Sequence, residues 1–399
     1  MSTKKIFNFS TSKESIFLCI PLFCFLISTM EAMTNNVNIN IIRIGNSTIW
    51  LVAFLVTSII VLNKNLHYKV SKKFNNAYII LVCYIMLMSL LYIPFDEVGS
   101  RQVYVGLICY LTCFLSFRNL SIQDKLQQGF TQFLWACLII LIFIFISSRT
   151  QLVSLFDEDI VLSSAYIILY LFPITMLFSD KKMKLIYAGL VLLLLFFSNK
   201  RGAVITGFVS VLSFFVVNML FIQNKKGRKI LPTVSVFIGL YVIYLLIYKL
   251  IESSDLFIVN RIALTLDDEG SGRVEIWKAV LSGFEGSSVF ELLFGHGLES
   301  VRGITGGSTA HNDYLEILYD YGIIAFLIYI SFIFILFTHS IQLIKNKSHL
   351  APSFFSSFLL FSLPSFFSHI VIYPHYFLTF SMYWGVVVGL EESSHLQVT

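Results

Sequence analysis

Residues 311–338 read HNDYLEILYDYGIIAFLIYISFIFILFT. The stretch divides at Gly322. Before it, Asp313, Glu316 and Asp320 recur at spacings of three and four, which puts the three carboxylates on one face of a helix, with Leu315, Leu318 and Tyr319 on another. After it the helix turns wholly apolar, as a helix does on entering lipid. The polar run from residue 295 that leads into this helix is the best place in the chain for chemistry in water.

Composition agrees with a lipid solvent. Soluble domains carry about 25% charged residues. This 399-residue chain is 13% charged, 57% hydrophobic and 16% aromatic, with a mean hydropathy of +0.81. Apolar segments fall at 15–33, 45–62, 76–94, 101–117, 130–148, 160–179, 184–198, 202–222, 230–251, 315–338, 351–371 and 374–390. Most approach the roughly 17–25 residues that a bilayer crossing needs. The expectation is an all-α polytopic membrane protein of about twelve transmembrane helices with one long, partly helical outer loop. Helices 1–9 occupy 1–251, the loop 252–314, and helices 10–12 with the C-terminus 315–399.

The net charge of +5 is informative through its placement. With the N-terminus inside and the spans alternating, the short inner segments hold eighteen lysines and arginines and the short outer loops five. That asymmetry is what the positive-inside rule demands, so both termini are expected inside and the long loop outside. The six cysteines lie within apolar spans and read as buried thiols. Gly295-His296-Gly297 follows no strand–helix unit and is no dinucleotide fingerprint. The helix centres lack Asp, Glu, Lys and Arg, which argues against an ion-coupled carrier, since such proteins keep ionisable groups near the midplane.

Candidate chemistry gathers in three places. Ser198-Asn199-Lys200-Arg201-Gly202 puts two cations in a tight outer turn, against the charge trend. A guanidinium there can grip phosphate oxygens with two bonds; the pair also reads as snorkelling cations that end a helix. In the long loop, Gly270-Ser271-Gly272 reads as a turn, and Arg273, Ile276, Trp277, Val280 and Leu281 recur at helical spacing. Arg273 in a first helical turn would add to an anion site, or is simply solvated. His311 stands at the loop–helix junction, as a cap, a surface residue or a base. His296, between glycines, reads as a turn residue, and His369 and His375 flank the outer turn of the last helical hairpin.

Arranged in this order, these features resemble the bacterial O-antigen ligase and O-antigen polymerase family of polytopic lipid-linked glycan transferases, which are similar to C-type glycosyltransferases. Its signature is His, then Asn, Ser or Gln, nine residues, Gly, two residues, and Gly, Thr or Tyr. Here His311-Asn312 is followed by nine residues, Gly322, two more, and Ala325, a departure at the last position by one small residue. Ser198 to Arg201, the Gly272-Arg273…Trp277 helix start and Gly295-His296-Gly297 resemble further family features, and together they cover about residues 198–330.

The resemblance implies a glycan carried on undecaprenyl pyrophosphate at the outer face of the bacterial inner membrane. It implies transfer without a nucleotide sugar, cofactor or metal, and no nucleic acid partner. In that setting Arg201 and Arg273, with Lys200 or Arg302, would stabilise the departing pyrophosphate. His311 would take the acceptor's proton, with Asp313 or Glu316 orienting it or the acceptor, and Glu316 the runner-up base. The expected activity is O-antigen or surface-polysaccharide polymerase beside a chain-length regulator. The alternatives are an O-antigen ligase acting on lipid A-core and, from another class, a polysaccharide flippase.

Overall fold

The computed structural model describes residues 72–91, 109–118, 121, 135–136, 138–147, 165–178, 180–198, 200–222 and 272–396. The elements in chain order are α1 (Lys72–Leu91), α2 (Ala165–Tyr170), α3 (Phe172–Phe178), α4 (Lys181–Phe197) and α5 (Arg201–Val217), which a π turn extends over Asn218–Ile222. Then come α6 (Arg273–Gly283), α7 (Val289–Phe294), α8 (Ser300–Ile304), α9 (Asp313–Lys345), α10 (Ala351–Ser362) with a 3-10 turn at Pro364–Phe366, and α11 (Pro374–Leu396). Residues 109–118 and 138–147 are also helical, and no strand occurs among the described residues.

Among the described residues, three helices are long and apolar enough to cross a membrane: Lys73–Leu91, Gly202–Phe221 and Asp313–Lys345. The expected spans at 15–33, 45–62 and 230–251, and the N-terminal segment, lie outside the described residues. The expected span at 351–371 is interrupted: α10 ends at Ser362 and a 3-10 turn follows, because Pro364 has no N–H to continue the ladder. The span expected at 315–338 is longer than its apolar core, a 33-residue helix from Asp313 to Lys345.

Packing is aromatic at the centre and polar at the seams. Trp384 is wholly buried, with the rings of Phe332, Phe361 and Phe380 centred 5.2–5.4 Å away. Where α10 meets its neighbours, small hydroxyls let backbones approach and bond across helices. Ser356 Oγ donates to the Ser210 carbonyl of α5 (3.0 Å), and Tyr383 Oη on α11 donates to Ser353 Oγ (2.9 Å). α1 runs antiparallel to α9: Ser89 Oγ donates to Tyr321 Oη (3.1 Å) near one end, and Phe74 stacks on His339 at 5.5 Å near the other.

At that second end a buried ion pair ties three segments together. Arg118, 1% exposed, donates through Nε to Glu392 Oε2 (3.0 Å) and through Nη1 to Asn75 Oδ1 (2.9 Å), and Nη2 pairs with Glu392 Oε1. Gly385 and Gly389 of α11 allow this closeness, since a Cβ on either would come within 2.3 Å of the Phe114 or Arg118 carbonyl oxygen. Breaking a buried pair strands the remaining charge at roughly 3–5 kcal/mol, whereas removing both charges is often neutral. Arg118→Leu is therefore expected to lower the thermal unfolding midpoint of the purified protein and its level in membranes. Arg118→Leu with Glu392→Leu should recover most of both.

Candidate functional site

The site is built around a short strap, residues 309–312, at the head of α9. Asn312 caps the helix, its Oδ1 accepting from Tyr314 N (2.9 Å) and Leu315 N (3.2 Å). His311, just before it, has a φ of 50°, in the left-handed region. That conformation is uncommon for a residue with a Cβ and persists only when its surroundings over-determine it. Here they do. Ala310 N donates to Glu316 Oε2 (2.6 Å), the Trp277 indole of α6 donates to the Ala310 carbonyl (2.9 Å), and His311 N donates to His369 Nε2 (3.0 Å).

Three carboxylates on one face of α9 organise the segments around the strap. Asp313, Glu316 and Asp320 are each fully buried. Asp313 accepts from Ile370 N (3.0 Å) and Ser365 Oγ (3.0 Å), which fixes the turn after α10. Glu316 holds the strap itself through Ala310 N. Asp320 receives Glu299 N (3.0 Å), Val301 N (3.1 Å) and Ser300 Oγ (2.8 Å), closing the start of α8.

Gly322 breaks α9 just beyond this polar section, with φ 78° and ψ 179°, a combination essentially restricted to glycine. The break exposes the carbonyls of Tyr319 and Asp320, which accept from His296 N (3.0 Å) and Gly297 N (2.9 Å). The end of α7 fits into the gap so closely that a Cβ at Gly322 would lie 2.3 Å from the Leu293 carbonyl oxygen, and one at Gly295 2.2 Å from that of Asp320. His296 stacks on Tyr319 at 4.1 Å and bonds Ser287 Oγ at 2.9 Å, so it serves this turn.

Cations surround the strap. Arg273 is the first residue of α6, as its spacing predicts, and Lys200 immediately precedes α5. Both charges act on His311, whose pKa is held below its ordinary 6.5 by burial first, then by Arg273 and Lys200. Arg302, on α8, pairs with Glu299 at 3.2 Å. His369, 1% exposed, is pushed down to about 3 by burial, then by His311, Arg302 and Arg273. Both imidazoles are therefore neutral at pH 7. Arg201 opens α5; its side chain, like that of His375, lies outside the described set.

The structure thus brings Lys200, Arg273, Arg302, His311 and Glu316 into one electrostatic neighbourhood. Asp313, expected beside His311 or the acceptor, directs its carboxylate to Ser365 and Ile370 instead. Reasoning from sequence does not find the parts played by His369 or Trp277. Histidines flanking the last turn are the only signal for the first, and Trp277 reads as part of an apolar helix face and of a helix start that resembles a family feature, with nothing to show its bond to the strap.

Fold and site together define a helical membrane protein with a cationic, histidine-centred polar site at one end of α9, the longest helix among the described residues. Residues 185–330, the segment that holds the strap and the cations Lys200, Arg273 and Arg302, match the family model described as O-antigen ligase, and this segment is similar to the O-antigen ligase/polymerase family. A search of curated proteins found no match.

The electrostatics carry a sign that can be measured. Arg273 and Lys200 disfavour the imidazolium, so a reaction that needs neutral His311 keeps its rate to a pH below 6.5. Arg273→Gln removes one positive charge. The acid limb of kcat/KM, followed on the residual transfer activity of that variant, is expected to move upward toward 6.5.

Proposed function

We propose that this protein is an O-antigen or surface-polysaccharide polymerase. In this reading it moves a glycan from undecaprenyl pyrophosphate to a sugar hydroxyl of another lipid-linked repeat at the outer face of the bacterial inner membrane, beside a chain-length regulator. The observation that supports glycosyl transfer, common to this reading and the next, is the pairing of His311, held by the bonds to its strap, with the positive charges of Arg273 and Lys200. Glycosyl transfer from a pyrophosphate needs both: a base for the acceptor proton and cations for the charge that develops on the leaving group.

The step balances without a further reagent. The acceptor oxygen forms a bond to the anomeric carbon while the bond from that carbon to the pyrophosphate oxygen breaks. The electron pair leaves on the pyrophosphate, held by Arg201, Arg273, Lys200 and Arg302. The hydroxyl proton passes to His311. Glu316 and Asp313 are positioning groups in this scheme, because their oxygens take backbone N–H bonds from Ala310 and Ile370. A ligase acting on lipid A-core is the second reading, favoured by the description of the matched family model. It uses the same donor and the same chemistry.

Deleting the gene and running the cell's lipopolysaccharide on a gel separates the two. Loss of a polymerase leaves core carrying a single repeat unit; loss of a ligase leaves bare core, with polymer stranded on its lipid carrier. Unchanged lipopolysaccharide together with unchanged capsule and exopolysaccharide would sink both. His311→Ala is expected to abolish the product while the protein still accumulates in the membrane.

A further inference from the structure

The reading of His311 as the base leaves a second imidazole beside it unexplained. We propose that His369 is a positioning residue for the reaction: its Nε2 accepts the backbone N–H of His311 and so holds that residue in its left-handed conformation. The proposal rests on the role given to His311 above, and His369 lies outside the segment that matches the family model.

The hydrogen bonds decide the tautomer. A backbone amide can only donate, so an Nε2 that lies 3.0 Å from His311 N carries no proton. The neutral ring then keeps its proton on Nδ1. Thr309 Oγ1, at 2.5 Å, donates to the same Nε2 and draws the other end of the strap to the same atom. The Nδ1 edge faces Glu316 Oε2 at 3.8 Å, too long for a hydrogen bond but attractive to an N–H edge. The ring itself is anchored through its neighbour, since Asp313 holds Ile370 N. Asp313 thus reaches His311 indirectly, around the turn after α10. The titratable and charged groups facing the ring are Glu316 from α9, Arg302 from α8, Arg273 from α6, and the neutral His311. Were His369 protonated, Nε2 would become a donor aimed at two donors and the strap would lose its clamp. Burial and the cations prevent this.

Two variants test the idea, assayed in membranes with lipid-linked repeat units as substrate. His369→Gln carries an amide oxygen to the place of Nε2, whereas His369→Asn reaches only as far as Nδ1. The expected result is a Gln variant within about threefold of wild-type kcat and an Asn variant at least tenfold lower, with KM for the lipid-linked substrate unchanged in both. Equal activities, high or low, or the reverse order, would overturn the proposal, and the contrast between two buried amides controls for folding. His311→Ala in the same assay keeps the two claims apart. Full activity there defeats the base itself; loss there, with Gln and Asn equal, defeats only the role of His369.

A second inference rests on different residues. We infer that α7 lies in the membrane–water interface, with its apolar arc in the lipid. Val289 and Phe290 are 74% and 59% exposed, and Leu292 and Leu293 are exposed as well. At 100° per residue these four share one side of the helix, while Glu291 projects from the other and closes a capping box with Ser288. The arc is not isolated. Leu293 abuts Gly322, and the next residue, Ile323, begins the exposed apolar side of α9 that continues through Leu327 and Phe334. A surface continuous with the side of a membrane-crossing helix meets the same lipid.

The test places a fluorophore at Phe290→Cys, and separately at exposed Ser308→Cys, in a variant lacking the six native cysteines. The protein is reconstituted in vesicles that carry shallow or deep nitroxide lipids. Position 290 is expected to be quenched by the shallow lipid and shielded from iodide, position 308 the reverse. Iodide quenching at 290 equal to that at 308 would overturn the inference. Shielding of 290 from every quencher would do the same, since that marks a covering protein.

Discussion

Three carboxylates, buried on one face of a helix end and each bonded to a different part of the chain, are the constraint on which the polar end of this protein depends. Burying an ionisable group without partners costs several kcal/mol, and a hydrogen bond to it offsets part of that cost. Asp313, Glu316 and Asp320 therefore have no tolerable state except the one in which the turn after α10, the strap and the start of α8 are all docked against α9. The segments that carry the candidate chemistry are drawn together by a demand for backbone N–H groups, which loops supply where helices cannot.

The cations and the histidines take their places on that frame. Trp277 ties α6 to the strap, and this brings Arg273 to His311. Asp320 gathers α8, and with it Arg302. Gly322 ends the polar section of α9 and lets α7 close over the break. Beyond it, the helix turns apolar, with Ile323, Leu327 and Phe334 exposed along one side. The same residue therefore marks the boundary between two solvents and the floor of the site.

Much of this was legible in the sequence because it is local. The spacing of the three carboxylates, the helix start at Arg273, the junction at His311 and the change of character at Gly322 are all patterns within a dozen residues. What could not be read is pairing over distance. His369 meets a residue 58 positions earlier and Trp277 one 33 positions later, and no periodicity links them. Asp313 read as a neighbour of His311 because it is close in the chain, yet its partners are 52 and 57 residues away. The continuous apolar run at 351–371 hid the stop at Pro364, since hydropathy averages over a proline that hydrogen bonding cannot ignore.

The bonds made by the three carboxylates have one more property. Among the described residues, apart from two serine hydroxyls, the donors they receive are main-chain amides, at Glu299, Val301, Ala310, Ile370 and Val371. An amide is offered by every amino acid except proline. The anchor therefore depends on the path of the main chain at these places rather than on which side chains they carry, while packing still constrains Val301, Ala310 and Ile370, which are fully buried. A frame built this way is held through the main chain at its contact points, and a proline at any of them would remove the bond that holds it.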